Sequence, residues 1–155
     1  MTHLIHHVGL TVSQLEESVR FYCNSFGFEQ VMQQQIDAAY LGSIVGIPGA
    51  DVRMAHLRLP GGTLVVELFQ YVSGAESAPR LVPNRIGNAH LCFVVDDIRA
   101  EYERLLATGV DFVSAPVAID AGRNTGGVSC YLRDPDGITL ELFQAPPEHR
   151  HGSAA

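Results

Sequence analysis

Two histidines and two glutamates carry the strongest chemical signal in the chain. Glu67 and Glu141 each open the same tetrapeptide, Glu-Leu-Phe-Gln. His7 and His90 each open an apolar, strand-like run, His7-Val8-Gly9-Leu10-Thr11-Val12 and His90-Leu91-Cys92-Phe93-Val94-Val95. A carboxylate in a half-apolar strand is costly to desolvate unless an opposite charge meets it. Two imidazoles and two carboxylates suit a borderline divalent cation, at bond lengths of roughly 2.0–2.2 Å and with positions left open for water or substrate. The pattern therefore predicts one divalent metal ion (Ni, Co, Mn, Zn or Fe) held by His7, Glu67, His90 and Glu141.

The elements that must position these residues are duplicated. In each half the histidine strand runs into a helix N-cap, Ser13 or Asp96. Apolar residues then recur at helical spacing: Leu15, Val19, Tyr22 and Phe26 in one half, Ile98, Tyr102, Leu105 and Leu106 in the other. Gly27 and Gly109 supply left-handed helix ends. Strands are expected over 29–41 and 52–59, and over 111–117 and 127–133. Each half closes with a hairpin, Leu59-Pro60-Gly61-Gly62 before 63–70 and Asp134-Pro135-Asp136-Gly137 before 138–144. The predicted fold is α+β, two tandem β-α-β-β-β modules over 4–70 and 87–145. They are joined by a connection over 71–86 within one domain, 1–145, and followed by a tail over 146–155.

Side chains alternate along a strand, so His7 shares a face with Gly9 and Thr11, and His90 with Cys92 and Val94. The opposite faces, Val8, Leu10, Val12 and Leu91, Phe93, Val95, pack on the helices. Stacking the halves about a pseudo-twofold axis brings one His and one Glu from each into a single cleft. His6 falls on the helix-facing side, so His7 is preferred to it, and His3 lies too near the terminus to be counted. His56 is a candidate pocket residue. His149 and His151, in the tail, are not counted as ligands.

Composition narrows the function classes. A 155-residue chain that is 46% hydrophobic buries an ordinary core. A formal charge of −7 without a basic run removes the footprint that nucleic acid requires. No apolar stretch approaches a membrane span or a signal peptide, which reads as a cytoplasmic protein. Cys23, Cys92 and Cys130, odd in number and without CxxC spacing, suggest reduced thiols rather than a disulfide framework or a zinc knot.

The stretches His6-His7-Val8-Gly9-Leu10-Thr11-Val12, Asn88-Ala89-His90-Leu91-Cys92-Phe93-Val94-Val95-Asp96-Asp97-Ile98 and Tyr131-Leu132-Arg133-Asp134-Pro135-Asp136-Gly137-Ile138-Thr139-Leu140-Glu141-Leu142 resemble the vicinal oxygen chelate (glyoxalase/bleomycin resistance/extradiol dioxygenase) superfamily. The resemblance implies a curved mixed sheet around a metal-containing funnel, a homodimer and a small-molecule substrate, and it carries the ligands onto the same four residues. It further implies a metal-dependent isomerase or epimerase, or a glyoxalase-type lyase, moving a proton next to a carbonyl with Glu67 or Glu141 as the base. Glu67 is more like the glyoxalase branch, while 50–59 and Val94-Val95-Asp96-Asp97-Ile98 are more like the methylmalonyl-CoA epimerase branch. The alternatives are an iron-dependent extradiol dioxygenase, which does not need Glu67 as a ligand, and a small-molecule binding or resistance protein. His56, Arg123, Asn124, Tyr131 and Arg133 are the candidate substrate contacts.

Overall fold

The computed structural model describes residues 3–73, 75 and 81–149. The chain divides into two compact units, Met1–Ala78 and Pro79–Ala155. In the first, β1 (His7–Thr11), α1 (Leu15–Phe26), β2 (Glu29–Asp37), α2 (Ala39–Val45), β3 (Asp51–Arg58) and β4 (Val65–Tyr71) build a sheet in the order β1-β4-β3-β2. β1 lies parallel to β4 and the other pairings are antiparallel. In the second, β5 (His90–Val94), α3 (Ile98–Ala107), β6 (Asp111–Phe112), β7 (Val117–Ala118), β8 (Val128–Arg133) and β9 (Thr139–Gln144) give the order β5-β9-β8-β6, with β7 also paired to β8. The α+β class and the duplicated order are as the sequence predicts.

One face of each sheet is closed by its long helix. In α1 the buried residues Leu15, Ser18, Tyr22 and Ser25 recur every three or four positions and lie over β3 and β4. Ala55, Leu57, Val66 and Leu68 are buried in the first unit, and Cys130, Leu132, Leu140 and Leu142 with Ile98 and Leu105 of α3 in the second. Each fully buried Leu contributes about 1.5–3 kcal/mol, which fixes strand register strongly, since a slip of one residue would turn the set into water.

Three expectations need correction. The strand expected over 29–41 ends at Asp37, and Ala39–Val45 winds into α2, whose Leu41 joins a core of Ala50, Val52 and Met54 with Val45 packed against it. The chain can double back after α2 only over a glycine: a Cβ on Gly42 would stand 2.8 Å from the Ile47 carbonyl oxygen. The strand expected over 111–117 is split into β6 and β7, because Pro116 between them has no N–H to give a ladder. The helix N-caps are Gln14 and Asp97, one residue later than Ser13 and Asp96.

The cap shift has a physical cause. Asp97 accepts from the N–H groups of Arg99 and Ala100 at 3.0 and 3.1 Å, whereas Gln14 makes no side-chain cap. The first helical N–H of each helix is met from the sheet instead. Leu15 N–H donates to Gln70 Oε1 at 3.2 Å and Ile98 N–H to Gln144 Oε1 at 2.8 Å. The last residue of the repeated tetrapeptide thus locks the glutamate strand to the helix behind it. Gly27 and Gly109 adopt the left-handed conformation at the helix ends, with φ of 72° and 85°.

Candidate functional site

In each unit the parallel pairing of the histidine strand with the glutamate strand places the candidate His and Glu side chains. Gly9 stands opposite Glu67 and Cys92 opposite Glu141. His7 and His90, two residues earlier, share the faces of Gly9 and Cys92 and reach forward to the carboxylates. His7 Nε2 lies 3.2 Å from Glu67 Oε2, and His90 Nε2 lies 3.1 Å from Glu141 Oε2. Both imidazoles are 41% exposed. Within each unit the predicted ligands therefore meet as an equivalent pair, His7 with Glu67 and His90 with Glu141. Among the described residues, no group of three or more His, Cys, Asp or Glu side chains is arranged to hold a metal ion by itself.

Each carboxylate has a second partner on its other oxygen. His56, directly opposite Glu67 across the β3–β4 ladder, sets its Nε2 2.5 Å from Glu67 Oε1. In the second unit the residue opposite Glu141 is Tyr131, yet Oε1 is met from two positions away, by the Ser129 hydroxyl donating at 2.6 Å. The ring of Tyr131 instead lies against His90, centroids 5.2 Å apart. Glu67 is 7% exposed at the side chain and Glu141 18%. His7 also has a neighbour behind it, His6 Nδ1 at 2.9 Å from its own Nδ1, a position filled by Ala89 in the second half.

Nearby thiol and phenol groups are shifted away from ionisation. Burial, with the Glu141 charge added, pushes the Cys92 thiol up to about 12, and the same two causes push Cys130 to about 11. Tyr131 is raised too, first by burial, then by Glu141 and Cys92. All three cysteines are free.

The remaining candidates are placed differently. His56 is turned to Glu67. Arg123 and Asn124 are exposed in the turn before β8. Arg133, buried, donates to the carbonyls of Leu81 and Gly137 at 2.9 and 3.2 Å, so its guanidinium ties the β8–β9 hairpin. His3 and His6 are exposed ahead of β1, His149 ends a short helical turn at Pro147–His149, and His151 lies outside the described residues. Ser129, Gln70 and Gln144 were missing from the sequence reading. Alternation puts Ser129 on the face of Tyr131, which is the signal that would have found it.

The sheet face bearing Glu67 continues into apolar side chains. Phe69 and Tyr71 follow at alternate positions of β4, opposite Met54 and Val52, and Met32 and Ile36 of β2 lie alongside under α2. In the second unit the corresponding stretch, 113–127, carries no helix.

Comparison with known proteins identifies the architecture. The model of the Glyoxalase/Bleomycin resistance protein/Dioxygenase superfamily matches residues 4–142. The chain belongs to this superfamily. Within reach of it by sequence, a 2-epi-5-epi-valiolone epimerase from Actinomyces sp is 33% identical over 148 residues, covering 92% of this chain and 79% of the relative. The lactoylglutathione lyase of Arabidopsis thaliana is 27% identical over 142 residues, covering 91% of this chain and 44% of the relative. Among solved structures of the superfamily, a glyoxalase family protein from Bacillus cereus shares the fold with a TM-score of 0.79 at 24% identity, covering 92% of this chain and 93% of that one. Among the described residues no helix is long and apolar enough to cross a membrane.

Proposed function

We propose that the protein is a divalent-metal-dependent isomerase or epimerase, or a glyoxalase-type lyase, that moves a proton at a carbon next to a carbonyl of a small oxygenated substrate. The observation that carries this reading is the duplicated His–Glu pair, with N···O separations of 3.2 and 3.1 Å. Two donors bound to one ion at roughly 2.0–2.2 Å stand about 3 Å apart at a right angle and about 3.5 Å apart in a tetrahedron. Each pair therefore fits a common cation without rearrangement, and a cation also offsets the desolvation of Glu67. In this reading His7, Glu67, His90 and Glu141 together hold one ion. The bound ion supplies Lewis acidity that favours negative charge on the substrate's carbonyl oxygen.

The chain's own residues then handle the proton. Glu141, leaving the metal, takes it through Oε2 from the substrate carbon, and the C–H electron pair passes towards the carbonyl. The same oxygen returns it to the adjacent atom in an isomerase or, once the planar intermediate has turned over in the site, to the opposite face of the same carbon in an epimerase. Ser129 keeps Oε1 in place meanwhile. The epimerase relative favours this class of reaction. The reading includes a homodimer, which the family resemblance implies and gel filtration tests, and a cytoplasmic location, which cell fractionation tests.

A proton-exchange screen tests the chemistry. Metal-loaded protein is incubated in deuterated water with 2-oxo acids, hydroxy ketones and acyl thioesters, and deuterium incorporation is followed by mass spectrometry. Incorporation next to a carbonyl, abolished by a chelator, is the expected result. Oxygen uptake with a catechol under ferrous iron, and no exchange with any substrate class, would overturn it.

A further inference from the structure

We propose that His56 and Ser129 are positioning residues, which hold Oε1 of Glu67 and Glu141 so that each Oε2 is presented beside its histidine to the metal. The inference rests on the metal-dependent reading above and adds residues to it. Its basis is a division of labour between the two oxygens of each carboxylate. Oε2 faces the imidazole, at 3.2 and 3.1 Å, and Oε1 is fixed by the neighbouring antiparallel strand, at 2.5 Å from His56 Nε2 and 2.6 Å from Ser129 Oγ.

The arrangement is not a simple copy made by the duplication. His56 stands opposite Glu67, whereas Ser129 stands opposite Phe143 and reaches Glu141 diagonally. The position equivalent to His56 holds Tyr131, and the position equivalent to Ser129 holds Met54. Different residues at different register positions thus meet the same oxygen. A carboxylate rotates freely about its terminal bond unless both oxygens are held, and rotation would swing Oε2 away from the histidine. The Leu142 carbonyl oxygen, at 3.1 Å from Ser129 Oγ, is a second and more distant acceptor for the hydroxyl's single proton. Partners that orient metal ligands in this way typically change metal affinity by about 10–100-fold when removed.

The test is calorimetric titration of chelator-stripped full-length protein with Mn²⁺ and with Co²⁺, alongside thermal melting of the stripped forms. His56→Phe and Ser129→Ala are each expected to weaken binding by about 10–100-fold. Ser129→Thr, which keeps the hydroxyl, and His56→Gln, which keeps an N–H donor, are expected to recover most of that loss. A merely structural role predicts lower melting temperatures and no such rescue. Wild-type affinity in both His56→Phe and Ser129→Ala, with metal still bound by the wild type, would overturn this inference alone. Absence of binding by the wild type would overturn it together with the metal-dependent reading.

Discussion

In the first half of the molecule Glu67 lies between two imidazoles and is nearly sealed from water, while in the second Glu141 meets one imidazole and a serine hydroxyl and keeps more than twice the exposure. The scaffolds beneath them are the same: a parallel histidine strand, a glutamate strand in the middle of the sheet, and a glutamine that caps the helix behind. The scaffold fixes where a carboxylate must be, and the residues across the ladder set what it is free to do. A group gripped at both oxygens by rings is suited to staying on a metal. In the proposed reading the more exposed carboxylate, Glu141, is the one a substrate carbon approaches.

The largest expected effect follows from that difference. Glu141→Gln should lower turnover by about 10²–10⁴-fold, the usual contribution of a positioned general base, with circular dichroism unchanged. Glu67→Gln should act chiefly by weakening metal affinity, so that excess metal restores part of its rate. Steady-state kinetics across a metal titration separates the two. Equal, metal-insensitive losses in both variants would remove the functional asymmetry.

The shared scaffold predicts equality instead. Leu68 and Leu142, the residues after the two glutamates, are both fully buried. Leu68→Ala and Leu142→Ala should each cost about 2–5 kcal/mol in denaturant unfolding. A negligible cost at either position would contradict the matching cores.

Much of this was legible in the sequence because it rests on short-range rules. Alternation in His7-Val8-Gly9-Leu10-Thr11 separates the site face from the helix face without any knowledge of the fold. The repeated Glu-Leu-Phe-Gln marks equivalent strands. What escaped depends on partners distant in sequence. Helix α2 spans seven residues, too few for a helical period to stand out from a strand pattern, and Leu41 and Val45 are held by Val52 and Met54 once the chain leaves α2 and doubles back over Gly42. The Ser129 contact depends on a diagonal across β8 and β9, and the roles of Gln70 and Gln144 on which helix end lies behind them.

Helix starts give a smaller contrast. Asp97→Ala should destabilise by about 1 kcal/mol, within the usual 0.5–2 range for a lost N-cap. Gln14→Ala should have little effect, because Gln14 makes no side-chain cap. Chemical denaturation of both variants checks this, and equal costs would refute the assignment of the caps.

The smallest effect carries the opposite sign. Thr139 is fully buried opposite His90 and its Oγ1 has no hydrogen-bond partner among the described residues, whereas Val65 takes the same place opposite His7. Thr139→Val should raise stability by about 1 kcal/mol by removing a desolvated hydroxyl. A destabilised variant would show that the hydroxyl has a use that valine cannot replace.

The proposed function assigns one metal ion to His7, Glu67, His90 and Glu141. Titration of chelator-stripped protein with Co²⁺, monitored by calorimetry, tests it most directly in the wild type, His7→Ala and His90→Ala. One ion per chain is expected, with binding weakened severely by either substitution. Two ions per chain, or one ion whose affinity ignores the loss of His90, would mean that each half acts alone.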